Sequence, residues 1–328
     1  MSVLLSLTTS ITMAVLFAWS SLRAWQAKSS FVKWCGAGLA GLLSMVATSI
    51  SVVIFVGLSN LHARTAPTLV MKVVATPQQI QRGQAISDGF CSGCHSRTGT
   101  LTGGRDVGEE LPVRVGSFVS SNLTPAGQLS RWSDGDIFRA IRNGVDRDGH
   151  WLIMMSYTNA GKLSDDDIRA VIAYIRSLPA AGSPTGNPPD RLNLLGVVML
   201  GAGMLPKGQP VSTGIVTAPP KGPTSQYGEY SLSYHDCGKC HGDKLTGGVA
   251  GQLAPLGPDL SVVKGWKFEQ FIETMRTGVD PNGHELSEQM PWRTVGRMDD
   301  EELRAIYEYL THLPGYKILA PSHDGDPR

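Results

Sequence analysis

Two copies of one pattern run through residues 91–314, and they constrain the chain more than any other feature. Cys-Ser-Gly-Cys-His at 91–95 returns as Cys-Gly-Lys-Cys-His at 237–241, and Leu-Thr-Gly-Gly at 101–104 returns at 245–248. Trp132, followed by Ile-Arg-Asn-Gly-Val-Asp at 141–146, returns as Trp266, followed by Met-Arg-Thr-Gly-Val-Asp at 275–280. Leu-Ser-Asp-Asp-Asp-Ile-Arg-Ala at 163–170 returns as Met-Asp-Asp-Glu-Glu-Leu-Arg-Ala at 298–305, and each copy closes on Leu-Pro, at 178–179 and 313–314. The offset drifts only from 146 to 134–135, which loop-length differences account for. Internal repetition of this kind implies one supersecondary unit built twice.

Each copy reads as three helices. The first leads into the cysteine pair, as in Gln78–Phe90. The second is Ser133–Asn143, with Ser133 as N-cap and Gly144 as its stop. The third is Ser164–Ser177, where Asp165–Asp167 suit the positive end of the helix dipole and Pro179 follows the end. Ile168, Val171, Ile172 and Ile175 form its buried stripe. Gly- and Pro-rich loops fill the remainder, and no segment reads as a strand, so the expected class is all-α. Residues 181–222 read as a linker, apart from the apolar run Leu192–Leu205. That run is too short to span a bilayer. It reads as a short helix packed on a neighbouring domain, with a patch touching the membrane or a partner subunit as the alternative.

The Cys-x-x-Cys-His spacing is the c-type haem attachment signature. Two thiols reach the two vinyl groups of one porphyrin, and the adjacent imidazole faces the iron. Two close cysteine pairs are also compatible with disulfides or a redox dithiol, but a histidine after each pair, inside a repeat, points to haem. A zinc site would need further Cys or His ligands at suitable spacing, and none stands out. The attachment residues are therefore Cys91, Cys94, Cys237 and Cys240, with His95 and His241 as axial ligands and two haem c groups as cofactors. Methionine is the usual distal ligand of electron-transfer cytochromes. At the offset of 135 that aligns Leu163 with Met298, Met155 pairs with Met290, so these two are the expected distal ligands, and Met154 is the alternative in the first copy. His150 and His284 hold equivalent loop positions and read as loop or propionate-side residues. His235 is expected beside the attachment site or exposed. His62, His312 and His323 have no counterparts. Arg142 and Arg276 read as a solvated helix face, with propionate pairing as the alternative.

Ahead of the repeat, Val3–Leu22 and Cys35–Leu58 carry no charge, and each has the roughly 20 residues that a bilayer crossing needs. Trp19, Trp25 and Trp34 lie near the proposed ends, where interfacial aromatics belong. A cleaved signal peptide is the alternative for the first stretch, although Met1–Ser2 lacks the basic start of one. Arg23, Lys28 and Lys33 are the only charges in residues 1–61, and they place the connection on the cytoplasmic side. Everything after Leu58 is then outside, where haem attachment also requires it. Beyond residue 61 there remain 26 basic and 28 acidic residues of the chain's 29 and 28, a balance that gives no sign of nucleic-acid binding. The expected division is an anchor at 1–61, a first haem domain at 66–180, a linker at 181–222 and a second haem domain at 223–328.

These motifs resemble class I c-type cytochromes, and in particular the cytochrome subunits of membrane-bound alcohol and gluconate dehydrogenases. The resemblance rests on Ser-Asn-Leu-Thr-Pro at 121–125, Arg-Trp-Ser-Asp at 131–134, Arg-Asn-Gly-Val-x-x-Asp-Gly at 142–149, Met-Ser-Tyr at 155–157 and Leu-Ser-Asp-Asp-Asp at 163–167, and it covers roughly residues 75–180 and 225–315. It implies two tandem class I cytochrome c-like domains, with Cys91, Cys94, His95 and Met155 serving one haem and Cys237, Cys240, His241 and Met290 the other. It further implies an electron-transfer subunit in the inner membrane, with its haem domains in the periplasm, whose partners are integral membrane subunits and a dehydrogenase, cytochrome or oxidase. Those subunits typically hold three haems and attach near their C-terminus; this chain shows two motifs and an N-terminal anchor. A dihaem peroxidase is the enzymatic alternative, but it needs one iron to lose its methionine, and the methionine recurs in both copies. The dihaem subunit of a cb-type haem–copper oxidase shares the anchor and the two haems, but its signature loops are not found.

Overall fold

The computed structural model describes residues 3–96, 98–186, 190–252 and 254–313. Pro314 of the second Leu-Pro, His323 and the end of the expected second domain lie outside them. The chain is mostly helical. In chain order the helices are α1 (Val3–Trp25), α2 (Ala37–Ala63), α3 (Pro77–Ile86), α4 (Ser92–His95), α5 (Asp134–Asn143), α6 (Ile153–Tyr157) and α7 (Asp165–Ser177). They continue as α8 (Leu194–Gly201), α9 (Ser225–Tyr234), α10 (Cys237–His241), α11 (Phe268–Thr277), α12 (Trp292–Val295) and α13 (Asp300–Thr311). Of the described residues, those within 3–72, 102–157 and 180–213 form one compact unit, and those within 73–101, 158–179 and 214–313 form a second.

The first unit contains α1, α2, α5, α6 and α8. Both α1 and the stretch Val32–Ala63 have the length and apolarity to cross a membrane. Hydroxyls in α1 are compatible with that where they donate to backbone carbonyls rather than to water. Thr9 and Thr12 donate back to the carbonyls of Leu5 (2.7 Å) and Thr8 (2.9 Å). Three more bonds tie the pair together: Ser51 Oγ to Ser10 Oγ (2.9 Å), Ser44 Oγ to Ala14 O (2.9 Å) and Ser21 Oγ to Ala37 O (2.8 Å). At the connection Trp25 and Trp34 meet edge to face at 5.0 Å, and Lys33 lies over Trp25. Just past α2, Arg64 donates to the carbonyls of Asn143 (2.6 Å) and Gln209 (2.7 Å), fastening the helix end to the loops around α5. Ser133 caps α5 in a reciprocal box with Asp136, and Gly144 ends it at φ 61°. A Cβ at Gly144 would strike Ser156, so a left-handed turn and a close approach coincide there.

The absence of strands expected from the sequence is corrected in this unit. Gly116–Phe118 pairs antiparallel with Asp190–Leu192. Three-residue strands leave too little alternation to read, and these partners lie more than 70 positions apart.

The second unit contains the repeat in its plainest form. Helix α3 crosses α7, and α9 crosses α13. At the two crossings Gly83 and Gly228 sit so close to the carbonyls of Ala170 and Ala305 that an added Cβ would lie 1.9 Å from each oxygen. Leu232, Phe271, Met275, Met298, Leu303, Ile306 and Leu310 build the apolar core around the second crossing. Between the crossings lies a buried polar cluster. Arg82 grips Asp167 with two bonds (2.7 and 3.1 Å) and approaches Glu302 at 3.5 Å. Tyr230 donates to Asp167 (2.5 Å), and Tyr234 (2.6 Å) and Ser231 (3.0 Å) donate to Glu302. Burial works against the Arg82 charge, yet Asp167, Tyr234 and Glu302 outweigh it and hold the guanidinium protonated. Asp167 and Glu302 are the same position of the two copies, so one arginine serves both.

Candidate haem sites

The second attachment segment is built by a chain reversal. Asp236 adopts a left-handed conformation (φ 61°) after α9, and α10 starts at once with Cys237. Cys237 and Cys240, three positions apart on a helix, share one face. His241 follows and is buried, at 5 % exposure. Its Nδ1 donates to the carbonyl of Pro258 (2.7 Å), while Gly257 lies flat against the ring: a Cβ there would sit 2.6 Å from Nδ1. The loop is tied down by Gly257 N to Cys240 O (2.8 Å) and Gly247 N to His241 O (2.9 Å). With Nδ1 committed to a carbonyl, Nε2 is the nitrogen left to face a metal, the usual way a ligating imidazole is oriented. The residues present thus fit a covalently held haem. Met290, half-buried in the turn before α12, packs against the same apolar core as Cys237.

The first attachment segment enters differently. Helix α3 widens into a π-turn over Ser87–Cys91 before α4, where the sequence suggested one continuous helix to Phe90. Single π-turns concentrate at functional sites. Ser92 is buried, donates to the Asp88 carbonyl (2.7 Å) and receives Arg297 at 3.3 Å. His95 ends α4 half-buried. Burial pushes the thiols of Cys91 and Cys237 up to about 12. The attachment segments of the two copies meet within this unit: the Phe90 ring, next to Cys91, lies 5.9 Å from Tyr234 and 5.6 Å from His235.

Met154 and Met155 belong to α6 in the other unit and are both half-buried. There the Met154 amide donates to Asp190 (3.1 Å), a carboxyl that burial raises to about 6. His150 and His284 are loop residues, each held by the aspartate four positions earlier, Asp146 (3.0 Å) and Asp280 (3.2 Å). His235 is buried, not exposed; its Nδ1 donates to the Ser231 carbonyl (2.7 Å), and burial keeps it neutral. The solvated face expected for Arg142 is also corrected: it is 4 % exposed, stacked beside Phe138, because the end of α5 is covered. Arg276 remains at the surface and donates to Asp300 (2.7 Å) and the Met298 carbonyl (2.8 Å). The roles of Pro258 and Gly257 went unread in the sequence, where a Gly-Pro pair signals only a turn.

A cytochrome c family model matches residues 80–179 and 230–314, more than half of the chain. Among curated proteins, a "Diheme cytochrome c-type" protein of Cereibacter sphaeroides is 24% identical over 258 residues, covering 72% of this chain and 86% of that protein. The cytochrome c subunit of an alcohol dehydrogenase (quinone) from Gluconobacter oxydans is 24% identical over 72% of this chain and 55% of its own length. The gluconate 2-dehydrogenase cytochrome c subunit of Pantoea cypripedii is 32% identical over 29% of this chain and 22% of that subunit. The chain thus spans about half or less of the dehydrogenase subunits it matches. Two matched attachment segments, each inside a region covered by the family model, make this chain a member of the cytochrome c family that carries two haem c groups.

Proposed function

We propose that this cytochrome is a membrane-bound electron carrier of the periplasmic face, serving a dehydrogenase or respiratory complex of the inner membrane. Residues 1–61 are its anchor, and residues 66–180 and 223–328 its haem domains, joined by 181–222. Cys91 and Cys94 attach one haem, with His95 and Met155 on the iron; Cys237 and Cys240 attach the other, with His241 and Met290. The observation that carries this reading is the His241 imidazole, pinned through Nδ1 to Pro258 directly after two cysteines on one helical face. Bound haem supplies a one-electron iron couple. The chain's own residues set the conditions: Pro258 fixes the ring orientation, the apolar core against Met290 excludes water, and Phe90 with Tyr234 and His235 brings the attachment segments together. The dehydrogenase relatives support the partner class. Two apolar helices, with all their charges in the connection, support an anchor whose haem domains lie outside.

Carbon monoxide tests the electron-carrier reading. With His and Met on both irons, the dithionite-reduced protein at neutral pH shows low-spin spectra unchanged by the gas. If one haem binds it fully, an open coordination site exists and an enzymatic reading takes over.

A further inference from the structure

Residues 192–206 carry no charge and lie between Arg191 and Lys207. Within them, α8 is apolar on every side, the pattern of a helix with no face turned to water. Two of its sides are covered. Gly196 abuts the Val115 carbonyl, where a Cβ would be 2.1 Å away. Val197 and Gly201 press on α2: a Cβ at Gly57 would lie 2.1 Å from the Val197 carbonyl, and one at Gly201 would lie 2.0 Å from that of Val53. The remaining side holds Leu195, Val198, Met199 and Ala202, spaced i, i+3, i+4 and i+7. Leu195 is 47 % exposed, and Met204 just beyond it 64 %.

The contact also sets a depth. Val53 and Gly57 lie about 15 and 9 Å before the end of α2 at ~1.5 Å per residue. At 27 residues, α2 exceeds the roughly 20 needed to cross the hydrocarbon. Helix α8 therefore sits at the edge of the acyl region, the depth at which interfacial helices lie. Its open side continues the exposed apolar surface of Val52, Phe55 and Val56 on α2, and Arg191 and Lys207 are both exposed. Resting on the reading of α1 and α2 as a membrane anchor, we infer that residues 194–204 insert into the outer leaflet of that membrane, acyl chains covering Leu195, Met199 and Met204. Together with Arg64, this third embedded element holds the surrounding part of the first unit at a fixed height above the lipid.

Photo-crosslinking separates the inference from the anchor reading. Benzoylphenylalanine is placed at Leu195, Met204, Phe55 or Val249 of the full chain, and haem content confirms folding. Each variant is reconstituted in phosphatidylcholine/phosphatidylglycerol vesicles and irradiated. The inference expects lipid adducts at 55, 195 and 204 and none at 249. Adducts at 55 without any at 195 or 204 overturn the inference and leave the anchor standing. A protein–protein adduct at 195 replaces lipid with a partner subunit and overturns it too. No adduct at 55 removes the anchor and the inference with it.

Discussion

Replacing Arg82 with leucine strips the counter-charge from two buried carboxylates at once. Asp167 is 7 % exposed and Glu302 1 %. Breaking a buried pair by removing one partner costs about 3–5 kcal/mol, because an uncompensated charge stays behind. Here the bidentate contact to Asp167 is lost, and the two acids are left with only tyrosine and serine hydroxyls. A loss of about 4 kcal/mol is a large share of the 5–15 kcal/mol that a folded domain has. With a urea slope of about 2 kcal/mol per molar, the midpoint falls by about 2 M. Urea titration of the haem-loaded protein by far-ultraviolet circular dichroism measures it. The cause is separated by a triple variant in which Asp167→Asn and Glu302→Gln accompany Arg82→Leu. Removing the charges together should recover about half of the loss, since neutral amides are far cheaper to bury than unpaired carboxylates. An Arg82→Leu midpoint within 0.5 M of the parent (about 1 kcal/mol) refutes the cluster as a structural element. A triple variant no more stable than the single one refutes the electrostatic cause.

Met155→Ala removes the near-infrared band of one ferric His/Met haem and admits carbon monoxide to one ferrous haem, and Met290→Ala does the same at the other; if Met154→Ala does so instead, the ligand assignment in the first copy is reversed. Gly228→Ala lowers stability by at least 1–3 kcal/mol, the usual cost of overpacking, because its Cβ would overlap the Ala305 carbonyl; a thermal melt unchanged within a degree contradicts that crossing. Burial raises Asp190 to about 6, so its proton favours the folded state. That contribution is complete below pH ~4 and lost as pH rises through 6, about 3 kcal/mol in all. Asp190→Asn should flatten stability between pH 4 and 6 relative to the parent, and an unchanged slope refutes the assignment. A cysteine introduced at Lys28 reacts with an impermeant maleimide only after the inner membrane is opened; labelling from the periplasmic side reverses the topology.

The repeat, the capping of α5, the acidic first turn of α7 and both attachment segments were legible because each depends on local chemistry: a serine before an acidic turn, a glycine after the last turn, a histidine beside two cysteines. What escaped depends on distant segments meeting. Asp167 read only as one of three acids at the positive end of a helix, and only the approach of α3, α7 and α13 buries it with Arg82 and Glu302. Arg142 near the end of α5 has the spacing of a surface residue, and its burial does not show in the local sequence. The strand pair at 116–118 and 190–192 is too short to leave a period. Helix α8 was visible as an apolar run, but its docking on α2 turns on Gly57 and Gly201, residues whose importance is a missing side chain.

The central claim is that two haems are covalently held, one by each Cys-x-x-Cys-His segment. The most direct measurement is haem per chain by the pyridine haemochrome assay, repeated after denaturing electrophoresis and in two double variants, Cys91→Ala with Cys94→Ala and Cys237→Ala with Cys240→Ala. The account predicts two haems that survive denaturation in the parent and one in each variant. Haem extracted by acidic acetone from the parent, or a variant that keeps both, would contradict it.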